Sequence, residues 1–166
     1  MPRHREVAAD YHQKMEKFYT VVICEGEYKA MAIWQTVGLG ARLQVPTDTG
    51  VAGSHLPANF EPIGVCALPG ISYVMNMEMR DELERWLQAV KMPGRKLRVI
   101  VAFDDEDKSN KPLKQRFDAQ IMARVLAIKL AESIHAEALV CTLPKAWRNA
   151  RGKADWDGAL AMMLNQ

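Results

Sequence analysis

The chain has 166 residues, of which 49% are hydrophobic and 25% charged, and its formal net charge is +2. That length suits one domain with a real core, and the composition excludes a disordered chain. The small net charge does not by itself mark a nucleic-acid binder, and no apolar run approaches the roughly 20 residues that span a bilayer.

The first stretch, residues 1–19, reads as an N-terminal helix packed on a single domain of residues 20–166. Its stripe is Val7, Tyr11, Met15 and Phe18, spaced by three or four residues as an amphipathic helix requires. The opening MPRHREVAAD lacks the apolar core of a signal peptide. Cys24, Cys66 and Cys141 form no CxxC pair, so neither a zinc site nor a disulfide framework is indicated. The expectation is a cytoplasmic protein with buried thiols.

A strand follows at 20–24 (TVVIC), then a short helix over 27–36. Residues 38–62, rich in Gly, Pro and Thr, read as a long loop or loose hairpin with a weak strand at 42–45. Further strands are expected at 63–67 (IGVCA), 97–103 (LRVIVAF) and 137–142 (EALVCT). Between them the spacing predicts helices over 77–91 (Met79, Leu83, Trp86, Val90), entered through the Met-rich 75–79, and over 112–134 (Leu113, Phe117, Ile121, Val125, Ile128). Pro112 suits the start of the latter. A last helix is expected at 156–164. The strands do not alternate cleanly, which fits burial on both faces. The pattern defines an α/β domain with a mostly parallel sheet of about four strands flanked by helices.

In such sheets ligands bind beyond the carboxyl ends of the strands. There the sequence places EGEYKA (Glu25 to Ala30), LPGIS (Leu68 to Ser72) and the run Asp104, Asp105, Glu106, Asp107. Four adjacent carboxylates repel one another. Either water screens them in an acidic turn, or they hold a hard divalent cation. An opposite patch, KAWRNARGK, gathers Lys145, Arg148, Arg151 and Lys153 without an acid. His4, His12, His55 and His135 have no ligand spacing and read as surface residues.

The order of these motifs resembles the Toprim domain of bacterial-type primases, topoisomerases, some nucleases and recombination proteins. The glutamate motif is VVICEGEYKA, the acidic motif VAFDDED, and GKADWDGAL, Gly152 to Leu160, is similar to the segment closing Toprim-like domains of phage and mobile-element primases. The resemblance covers residues 20–160. It implies a Rossmann-like fold and a magnesium-dependent nucleotidyl-transfer domain, the catalytic core of a DNA primase or primase-helicase of a phage or mobile element. The alternatives are a Toprim nuclease and a non-catalytic nucleic-acid-binding module.

It further implies that Glu25 acts as general base or acid or shares a metal; the plain reading is an acid at a helix N-terminus. Asp104 and Glu106 would hold Mg2+, with Mn2+ as a substitute; Asp105 and Asp107 are the alternative pair. Lys29 would contact phosphate or simply pair with an acid, and Arg148, Arg151 and Lys153 would contact a nucleic-acid backbone, with Trp147 stacking on a base. The plain reading of that segment is a solvated basic loop with Trp147 in the core. Asp155 and Asp157 either join the acidic set or cap the last helix. The implied partners are single-stranded DNA, nucleotides and a helicase or other primase domains, with no membrane.

Overall fold

A computed structural model describes residues 18–38, 63–109, 111–113 and 118–164. Four strands form one parallel sheet: β1 (Phe18–Glu25), β2 (Ile63–Leu68), β3 (Lys96–Ala102) and, after the two-residue strand β4 (Asp105–Glu106), β5 (Glu137–Val140). The spatial order is β2-β1-β3-β5. β4 pairs instead with β6 (Lys153–Ala154), antiparallel, with Glu106 opposite Lys153. The α-helices are α1 (Glu27–Ile33), α2 (Met77–Ala89), α3 (Ala119–Ile134) and α4 (Trp156–Leu164). This is an α/β architecture of the Rossmann-like kind. Among the described residues no helix is long and apolar enough to cross a membrane.

Alternate residues of a strand face opposite sides of the sheet, and here both sides are covered. Val21, Ile23, Val99 and Val101 pack with Leu83 and Leu87 of α2 and with Leu126 and Leu130 of α3. Val22, Cys24 and Ala102 pack with Ile33 of α1, against Trp156 and Leu160 of α4. Burial on both faces explains why β1 and β3 read as continuous apolar runs rather than alternating ones.

The four predicted sheet strands stand within two residues of their expected starts and ends, but several details are corrected. Phe18 opens β1 and does not close a helix; the rest of the predicted 5–18 helix lies outside the described residues, as do the 42–45 strand and His4, His12 and His55. α1 ends at Ile33 and continues as a π turn over Trp34–Gly38. α3 begins at Ala119, not at Pro112, because the Asp118 carboxylate caps it, accepting from the N–H groups of Gln120 and Ile121.

Its buried face is also different. Ala119, Ala123, Leu126, Ala127, Leu130 and Ile134 turn inward, while Leu113, Ile121 and Ile128 are 82%, 53% and 57% exposed. Small alanines let α3 approach the sheet closely, so the Leu–Ala face was chosen over the bulkier Ile stripe. α2 likewise buries Leu83 and Leu87 and leaves Trp86 on its exposed flank. Of the thiols, Cys24 is buried, Cys66 half-buried and Cys141 exposed, since the strand holding Cys141 ends at Val140. Burial pushes the Cys24 thiol up to about 12, leaving it inert.

Candidate functional site

The strand order places a topological switch at the centre of the sheet. From β1 the chain crosses outward to β2, and from β3 it crosses the other way to β5, so the connections diverge and leave a crevice above the carboxyl ends of β1 and β3. Glu25 is the last residue of β1 and Asp104 lies two residues past β3. Both therefore stand at that crevice.

Gly26 makes the turn that follows Glu25. Its φ of +74° is costly for a residue with a Cβ, and its N–H donates to the Leu68 carbonyl at 2.8 Å. Glu25 is thereby held at the strand end while α1 begins at Glu27. Burial, then the neighbouring Asp104 carboxylate, raises the Glu25 pKa above the ordinary carboxylate range; Lys29 and the Asp104 backbone N–H oppose the shift without cancelling it.

Asp104 is 5% exposed. Its Oδ2 lies 2.8 Å from Lys29 Nζ and 3.3 Å from Lys153 Nζ, whereas its Oδ1 is buried with no hydrogen-bond partner among the described residues. Burial pulls the Lys29 ammonium down, but its hydrogen bond to Asp104 and the nearby anions outweigh that, and its pKa is raised. Lys29 arrives from α1 and Lys153 from β6. The backbone at Asp104 is pinned as well: Gln120 Nε2 donates to the carbonyls of Phe103 at 3.3 Å and Asp104 at 3.2 Å.

Asp105 and Glu106 are not left to solvent either, whereas Asp107 is exposed. Asp105 takes a two-pronged bond from Arg148, Nε to Oδ2 at 2.5 Å and Nη2 to Oδ1 at 3.0 Å. Glu106 is held by Lys111, with Lys108 at 3.8 Å; the Lys111 hydrogen bond, first of all, lowers its pKa. Asp107 accepts from the Ser109 N–H at 2.9 Å. The acidic and basic patches that stand apart in sequence thus fold onto each other. A turn with Gly152 at φ +73° reverses the chain, and the Asp107 N–H bonds the Gly152 carbonyl at 2.8 Å. The carboxylates tolerate one another because the protein supplies their cations.

The predicted site residues thus fall into two groups. Glu25, Lys29, Asp104 and Lys153 come together at the crevice. Arg148 is committed to Asp105, and Arg151 stands exposed at the tip of the turn. Trp147 is half-buried against the small cluster of Leu143, Ala154 and Ala159, as the plain reading had it. Asp155 accepts from the Gly158 N–H at 2.9 Å and caps α4. Asp157 lies within electrostatic reach of Lys29, Asp104 and Lys153, and burial, then Asp155, raises its pKa. Sequence reasoning missed Lys108, Lys111 and Gln120. The two lysines carried a signal, since both follow the acidic run within five residues; Gln120 carried none.

Among the described residues no three Asp, Glu, His or Cys side chains form a ready metal cage. Magnesium does not require one, because it keeps several waters and takes one or two carboxylates. The unpartnered, buried Asp104 Oδ1, with Glu25 beside it, fits that demand. The fold and site together define a Rossmann-like α/β protein with a mixed carboxylate–lysine cluster at the switch point of its sheet. The chain matches no protein-family model, no curated protein and no solved structure.

Proposed function

We propose that the crevice is a magnesium-dependent nucleotidyl-transfer site of Toprim type, the catalytic core of a DNA primase acting on single-stranded DNA and nucleotides. The observation that carries this reading is the meeting of Glu25 and Asp104 above β1 and β3. Phosphoryl chemistry needs cations for the phosphates and a group that moves a proton, and this edge offers both. Asp104 would hold the ion, with Glu25 beside it as the group that moves the proton; Glu106 would join only by leaving Lys111. Bound there, magnesium would neutralise charge on the attacking and leaving oxygens.

The chain's own groups do the remaining work. Glu25, with its raised pKa, is poised to accept a proton from an attacking hydroxyl and to return it. Lys29 and Lys153 stand where a phosphate would arrive. Incubation with single-stranded DNA, nucleotides and magnesium or manganese, alone and with a partner helicase, tests the reading. New oligonucleotides that disappear in Glu25→Gln support priming. Shortened DNA would assign the site to a nuclease, and binding without either product would make the domain a non-catalytic module.

A further inference from the structure

The two lysines on Asp104 pose a question of charge. An isolated buried carboxylate is costly, so a cation must accompany it in the free protein. Lys29 and Lys153 supply that charge from two different elements, and both converge on one oxygen, Oδ2. The other oxygen is left buried and unpartnered. Neither lysine is locked away: their side chains are 19% and 37% exposed, against 6% for that of Asp104. Long lysine stems can swing their ammonium groups over several ångströms while the stem stays packed. The carboxylate is fixed and its counter-ions are movable.

We infer that Lys29 and Lys153 are exchangeable counter-ions: they neutralise Asp104 in the free protein and transfer to the phosphates of an incoming ligand when a divalent cation takes their place. This rests on the cation-and-phosphate reading of the crevice and adds to it a coupling between the two ligands. Metal binding to Asp104 frees two ammonium groups for phosphate, and phosphate draws away the two charges that oppose the metal. Linkage makes the effect reciprocal, so each ligand raises the other's affinity by the same factor.

Two titrations on the full chain test it, each with one ligand only. With EDTA present, inorganic tripolyphosphate should bind Asp104→Asn about tenfold tighter than wild type, since the lysines are released. Equal or weaker binding overturns the exchange. With no phosphate present, Mn2+ should bind Lys29→Met and Lys153→Met about tenfold tighter than wild type, because a competing positive charge is gone. Unchanged or weaker Mn2+ affinity overturns the exchange while leaving the metal site standing. Absence of Mn2+ binding in all three proteins overturns the metal site, and the exchange with it. Matching circular dichroism spectra establish that each variant is folded, and the conservative Lys29→Arg should restore wild-type Mn2+ affinity.

Discussion

Arg148 grips Asp105 with two parallel hydrogen bonds, and this contact, with the β4–β6 pair and the Lys153–Asp104 ion pair, fastens the basic segment 145–153 onto the acidic run. It also steadies the loop that carries Asp104. Arg148→Met should therefore leave the Asp105 carboxylate without its main partner and lower the Tm by several degrees. Arg148→Lys should recover only part of the loss, because an ammonium cannot reproduce the planar fork. Thermal unfolding of the three proteins checks this. An unchanged Tm in Arg148→Met would mean that Asp105 needs no partner.

Glu25 has a pKa raised by burial and by Asp104, which fixes the sign of a pH effect. A carboxyl raised in the folded state favours folding fully below its unfolded value, and that contribution is lost as pH rises through the folded value. Wild type should therefore lose stability relative to Glu25→Gln as pH rises above the ordinary carboxylate range, about 4. Urea unfolding over that rise reads the difference, and a gap that does not change with pH would contradict it. In the same variant turnover should fall at least about 100-fold while Mn2+ affinity stays near wild type. Loss of metal affinity along with turnover would make Glu25 a ligand rather than a base.

Asp104 and Glu106 are expected to contribute unequally to metal binding. Asp104→Ala should abolish it, since the unpartnered Oδ1 belongs to that residue. Glu106→Ala should weaken it by a smaller factor, since Glu106 is already engaged by Lys111 and Lys108. Calorimetric magnesium titration of the two variants distinguishes them, and equal losses would place Glu106 in the coordination shell alongside Asp104.

The isolated chain should be a weak enzyme with weak, salt-sensitive affinity for single-stranded DNA. Lys29, Lys153 and Arg148 are each paired with the protein's own carboxylates, which leaves Arg151 as the exposed cation of the predicted set. With two or three phosphate contacts, affinity should fall roughly tenfold between 50 and 200 mM salt. Robust multi-turnover synthesis by the chain alone would show that no further domain is needed.

Much of this architecture was legible because β1 and β3 are buried on both faces, and a run such as TVVIC has few other stable destinations. The position of Glu25 and Asp104 followed from the strand ends. The inward face of α3 did not, because periodicity weights Ile121 and Ile128 above the alanines, whereas close packing on the sheet favours Ala123 and Ala127. Nor was the β4–β6 pair visible, since two residues carry no period. Without it the basic segment read as a separate surface, when its Arg148 and Lys153 are counter-ions of Asp105 and Asp104.

The most direct test of the crevice is to place a paramagnetic ion in it. Substoichiometric Mn2+ should broaden the backbone amide signals of Glu25, Gly26, Asp104 and Asp105 before any others, and Asp104→Asn should abolish the effect. First broadening at a distant acidic surface, such as Glu78 and Asp81 on α2, or no selective broadening at all, would contradict a metal-dependent site at the switch point of the sheet.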